Sequence, residues 1–274
     1  MKGFLLSLVV FVVFYGVLPA GASEWDCAST SGTFERSTDC TMGDEVAVSG
    51  DLTVTGKETV YSTLTAASGK RHFKITSGAH TLALKWLNMT GGDVTSGLGD
   101  GGSIYIFRVA AHLNISRSVF FNNRADLGGA VYGAVYAEDA RPTLLFSSVL
   151  VKSNYATDKG GGVYLKKGTF NGESNTFKKN TAGDFGGAMS IQTGSTVSST
   201  DSTFRKNTAE ENIITDKISL TSGTPAKGDN EWGKSKKNRP NPNKTRINSK
   251  LVFLALGAIT SAISRILIEG IFLT

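Results

Sequence analysis

Carboxylates recur ahead of glycine pairs in this chain. Asp126, Asp158 and Asp184 each stand shortly before a Gly-Gly sequence, and Asp100 precedes Gly101-Gly102. Stacked on successive turns of a repetitive fold, two such groups would approach ~5 Å, the separation of acid and nucleophile in a retaining glycosidase. Oxygen ligands so placed would also suit a calcium ion. A repeated residue in a repeated turn needs neither role, because aspartate closes turns by accepting a hydrogen bond from its own backbone two residues on. The turn reading is preferred: no catalytic residue, no resident metal and no cofactor are expected, with calcium as the alternative.

The second chemical feature is cationic. Lys152, Lys178, Lys179, Arg205 and Lys206 fill the two positions between an apolar residue and an asparagine in successive copies of one motif. In register they would form a positive ridge facing an acidic polysaccharide or a phosphate-bearing surface. The competing role, a solvated edge whose charge keeps like chains apart, is the commoner one. Other signals are negative. Gly97-Leu-Gly-Asp-Gly-Gly102 matches the dinucleotide pattern but precedes a strand-like run instead of opening a helix, so no helix terminus would face a phosphate. Serine-hydrolase and phosphate-loop motifs are absent, and His72, His80 and His112 lack ligand spacing.

The elements that must position these residues are repeats. Ser118-Val-Phe-Phe-Asn-Asn-Arg-Ala125 leads to Gly128-Gly129, Ser148-Val-Leu-Val-Lys-Ser-Asn-Tyr-Ala156 to Gly160-Gly161-Gly162, and Asn175-Thr-Phe-Lys-Lys-Asn-Thr-Ala182 to Gly186-Gly187. Ser202-Thr-Phe-Arg-Lys-Asn-Thr-Ala209 is a fourth copy without glycines. The matched asparagines Asn123, Asn154, Asn180 and Asn207 are 31, 26 and 27 residues apart. That period is too short for a propeller blade of ~40–45 residues and suits one coil of a parallel β-helix. Short runs of period two, such as Leu52-Thr-Val-Thr55 and Ile104-Tyr-Ile-Phe107, supply its strands. Phe120, Val151, Phe177 and Phe204 would form an internal column. The asparagines would sit at bends, tolerate left-handed backbone angles there and bond amide to amide between coils. The pairs Gly128-Gly129, Gly161-Gly162 and Gly186-Gly187 would let the chain turn without a Cβ clash.

These Gly-Gly-Ala-Val and Phe-x-x-Asn repeats resemble those of the chlamydial polymorphic membrane proteins, and more widely the right-handed, pectin-lyase-like β-helices. The likeness covers roughly residues 82–209, with a looser lead-in from Val46. It implies an all-β, right-handed parallel β-helix, displayed at a surface and used in adhesion or in recognition of a glycan or protein partner. It also implies the main alternative, a polysaccharide lyase or glycoside hydrolase of the same fold.

Composition and the chain ends complete the reading. With 32 glycines, five prolines and 19% charged residues in 274, the chain favours many tight turns over a charged helical protein. Residues 227–250 hold eight Lys/Arg against Asp229 and Glu231, which accounts for the whole net charge of +6 and argues against nucleic acid as a partner. Lys2, the apolar residues 4–18 and Ala20-Gly-Ala22 read as a signal peptide over 1–22. Export predicts a Cys27–Cys40 disulfide within an N-terminal cap of residues 23–45, and glycosylation at Asn88, Asn114 and Asn243. The β-helix is expected over 46–219, a basic flexible linker over 220–250 and an apolar tail over 251–274, long enough to anchor the chain in a membrane. The protein is expected to be secreted or at the cell surface.

Overall fold

A computed structural model of the chain describes residues 22–97, 99–135, 140–192 and 194–209, together with the short strands Ile218–Ser219 and Lys234–Ser235. The expected signal peptide, most of the linker, the apolar tail and Asn243 lie outside the described residues. No helix among the described residues is long and apolar enough to cross a membrane.

The protein is an all-β parallel solenoid. Every strand pairing is parallel, and the strands stack into four sheets of nine, seven, six and five strands, here called faces A, B, C and D. One coil shows how the chain builds them. Thr143–Ser147 lies on face A, and Ser148 at φ 57° turns the corner into Leu150–Lys152 on face B. Ser153 at φ 56° and Asn154 turn it again into Tyr155–Lys159 on face D, and Gly160 at φ 69° precedes Val163–Lys166 on face C. Lys167 and Gly168 then return the chain to face A at Thr169–Glu173, one strand spacing (~4.8 Å) along the axis. Pairing already includes Ser23–Glu24, Gly32–Arg36 and Cys40–Thr41, so residues 23–45 contribute strands to faces A and B.

Alternation along each strand divides the side chains into inner and outer rows. On face B the inner row runs Leu64, Met89, Phe120, Val151, Phe177 and Phe204, all buried and in register. Phe177 and Phe204 stack with centroids 5.0 Å apart, and Phe120 stacks on Phe146 of face A at 6.0 Å. Each buried phenylalanine contributes about 1.5–3 kcal/mol through the apolar area it removes from water. The disulfide between Cys27 and Cys40, with Cα atoms 6.6 Å apart, closes a short loop beside the fully buried Trp25.

Each coil turns a corner inside the protein, and the asparagines satisfy the backbone there. Asn123, Asn154, Asn180 and Asn207 are at most 1% exposed. Nδ2 of Asn154 donates to Oδ1 of Asn180 (3.0 Å) and to the Phe120 carbonyl (3.1 Å), while the backbone N–H of Asn154 donates to the same Oδ1 (3.0 Å). Asn123 repeats this set with Asn154 and Met89, and Asn180 with Asn207 and Val151. An amide has two donors and two acceptor positions, and at Asn154 and Asn180 all four are used. The left-handed angle expected at these asparagines falls instead on the preceding residues Asn122, Ser153, Lys179 and Lys206 (φ 54–57°). The asparagine is thereby freed to point its amide inward.

The glycine turn is also shifted at one coil. Gly128, Gly160 and Gly186 carry the positive φ, and Gly129, Gly161 and Gly187 follow in register. The turn pair in the middle coil is therefore Gly160-Gly161, not Gly161-Gly162; Gly162 stands level with Ala130 and Ala188. A Cβ at Gly161 would collide with the carbonyls of Gly187 and Thr181, because face D of the next coil passes directly against it.

Asn180→Ala would orphan the Val151 carbonyl, the Asn154 N–H and two neighbouring amides. At about 1–3 kcal/mol per buried unpaired group, thermal or urea unfolding should report a loss of at least 3 kcal/mol. Asn207→Ala, at the end of the described ladder, should cost less.

Candidate functional site

The five basic residues come together on one edge. Lys152, Lys178 and Arg205 are directly opposed on the outer side of face B, each ~4.8 Å from the next. Lys179 and Lys206 occupy the left-handed corner beside them, both exposed. Among the described residues none of the five takes part in an ion pair. Lys152 Nζ lies 5.2 Å from the Phe121 ring, which adds a cation–π contact but no countercharge. Like charges directly opposed on a sheet repel, so this ridge is a self-repelling row that a bound polyanion would relieve.

The aspartates do not stack as an even column. The register slips between Ala125 and Leu127, setting Thr157 and Asp158 together against Asp126. The Thr157 hydroxyl donates to Asp126, and Lys159 Nζ pairs with Asp158 at 2.9 Å. Among the described residues neither Asp126 nor Asp158 accepts a hydrogen bond from the backbone two residues on; Asp26 and Asp93 make that turn. No group of three or more His, Cys, Asp or Glu side chains able to hold a metal is found among the described residues. For Asp100, in the Gly97–Gly102 loop, burial raises the carboxyl to about 6; the Asp126 charge adds to this, and the Leu127 N–H, Arg71 and Tyr132 oppose it. Arg71 lies 4.6 Å over the Tyr105 ring, and Tyr105, Tyr132 and Tyr164 stack at 5.1 and 5.3 Å on the outer side of face C. The loop leads into the strand Ile104–Phe107, with no helix after it.

His72 is fully buried. Its Nε2 lies 2.9 Å from the Leu64 carbonyl and its Nδ1 3.0 Å from Ser103 Oγ. Burial pushes its pKa down to about 4. The sequon asparagines Asn88 and Asn114 lie on the outer rows of faces B and A, each two residues before its threonine or serine on the same side of the strand.

A feature invisible in the motifs is a groove of about 580 Å³ on the outer side of face A. One row along its floor is Asn114, Leu145, Asn171, and the next is Lys85, Ser116, Ser147, Glu173. Leu145 is 39% exposed, and Asn114 Oδ1 is buried without a hydrogen-bond partner. Threonine, serine and asparagine are common on any outer strand face, so only the observed register makes the rows visible.

Compared with protein-family models, with curated proteins and with solved structures, the chain matches none.

His72 and Asp100 oppose each other in their pH dependence. His72, depressed from 6.5 to about 4, contributes stability that is complete above pH 6.5 and is lost as pH falls to about 4. Asp100, raised from 3.8 to about 6, contributes stability present below pH 3.8 and lost as pH rises through 6. Asp100→Asn should therefore lose up to about 3 kcal/mol between pH 6.5 and 4, while His72→Gln should become more stable over the same fall. Identical pH slopes in both variants and the wild type, measured by urea unfolding, would contradict this.

Proposed function

We propose that the solenoid is a non-catalytic recognition module of a secreted or surface-displayed protein, and that its cationic ridge docks on an extracellular polyanion such as an acidic polysaccharide. The observation that carries this reading is the row Lys152–Lys178–Arg205, flanked by Lys179 and Lys206, with no anionic partner among the described residues. Repeated cations at one strand spacing on a rigid sheet suit a ligand with regularly spaced negative charge, held by electrostatics that salt screens. The resemblance of the Gly-Gly and Phe-x-x-Asn repeats to chlamydial polymorphic membrane proteins, and to pectin-lyase-like β-helices, supports surface display and adhesion. The apolar residues 251–274 support attachment to a membrane.

A second reading, glycoside hydrolysis, rests on Asp100. A carboxyl that burial keeps protonated to about pH 6, with a second carboxyl at Asp126 acting on it, supplies the two groups such a reaction needs.

Immobilised polygalacturonate and heparin should retain the full-length chain at low salt and release it below about 0.5 M NaCl, since the Debye length is then only a few ångströms. Lys178→Glu with Lys179→Glu should weaken retention at least tenfold. Equal retention of wild type and double variant would refute the ridge. Release of reducing sugars, abolished by Asp100→Asn, would establish the second reading in its place.

A further inference from the structure

The groove on face A has a character opposite to that of the ridge. Of the residues that line it only Lys85 and Glu173 are charged, and they stand in the same row, three strand spacings (~14 Å) apart. Between them the row is Ser116 and Ser147, and alongside it Asn114 and Asn171 flank the exposed Leu145. The Lys85 ammonium lies 3.7 Å from the centre of the Trp86 ring, which holds it at the groove edge. The groove therefore presents no net charge, one apolar platform and a lattice of amides and hydroxyls repeating once per coil.

We propose that this groove is a second binding site, for an uncharged polysaccharide chain lying along the solenoid axis. The chemistry of both surfaces matches. A neutral glycan offers a hydroxyl rim for the Asn114, Asn171, Ser116 and Ser147 side chains and an apolar C–H face for Leu145. Its sugars advance by about one strand spacing, ~5 Å, so successive units meet equivalent side chains on successive coils. A polyanion would meet Glu173 as well as Lys85 and so gain no net attraction from this floor, whereas a neutral chain loses no ionic hydration on entry. Asn114 Oδ1 adds an acceptor with no present partner, which a sugar hydroxyl satisfies after a small rotation of the amide. The volume of about 580 Å³ falls within the usual range for ligand sites.

This proposal rests on the reading of the solenoid as a recognition module but not on the ridge. The proposal takes Asn114 as unglycosylated, in place of the modification its sequon suggests, so the test uses the full-length chain made in a host without N-glycosylation. Cellohexaose, xylohexaose, mannohexaose and N-acetylchitohexaose are titrated by calorimetry and by amide-shift perturbation. At least one should bind saturably, with an affinity unchanged between 0.05 and about 0.5 M NaCl, where ridge electrostatics are screened. Leu145→Lys, at an exposed position that leaves the core intact, should weaken it at least tenfold, and Asn171→Ala about fivefold. Lys178→Glu should leave it unchanged. Absence of binding by all four hexamers, or binding that persists in Leu145→Lys with unaltered circular dichroism, would overturn the groove assignment. Loss of binding in Lys178→Glu would likewise overturn it, by moving the glycan to the ridge.

Discussion

A coil that bends inside its own core leaves backbone N–H and C=O groups that no sheet can pair. In this protein the asparagine ladder supplies those partners, and the solenoid depends on it. Each buried amide bridges three chain segments: a strand of the preceding coil, the bend itself and the next coil. Leaving one of these groups unpaired in the interior costs about as much as one stacked phenylalanine contributes, and each corner holds several of them, so the register of the coils is dictated at the corner and then inherited by the strands. The glycine corner works by exclusion instead. Gly129, Gly161 and Gly187 lie so close to the adjacent face D that a side chain would push the coils apart.

Register in turn creates the surfaces. Once corresponding residues are opposed from coil to coil, a substitution repeated in the sequence becomes a row on the outside. Lysines that would be scattered on an irregular fold become a ridge at one strand spacing, and small polar residues become a groove with a periodic floor. The same regularity separates the two electrostatic characters onto two faces. Function in this architecture is therefore read by row, and a single residue matters chiefly through the row it belongs to.

The repeat unit, the inner phenylalanine column and the amide ladder are legible in the sequence because each recurs with a recognisable residue. Legibility fails where recurrence is in backbone conformation and not in side chain. The left-handed corner positions hold Asn122, Ser153, Lys179 and Lys206, with no residue type common to all four, so the sequence directs attention to the conspicuous asparagine one position later. Three consecutive glycines at 160–162 leave the turn ambiguous by one residue, and only the pairing of Gly160 with Gly128 and Gly186 resolves it. A second polar corner, between faces A and B, escapes notice for a related reason. Ser118, Asn175 and Ser202 bond to the backbone there, but Leu87 and Val149 interrupt the series. The aspartates mislead in the opposite way: they recur in sequence, yet the bulge at Asp126 sets it against Thr157 while Asp158 pairs with Lys159.

Side-chain amide hydrogen exchange, followed by NMR on the deuterated protein, tests the ladder most directly. The account predicts that the Nδ2 protons of Asn123, Asn154 and Asn180, each bonded to a carbonyl and to the next asparagine, exchange only with global unfolding, orders of magnitude more slowly than those of the exposed Asn171. Exchange of the ladder amides at the rate of Asn171 would mean that the corners are open to water and that something other than buried amides sets the register of the coils.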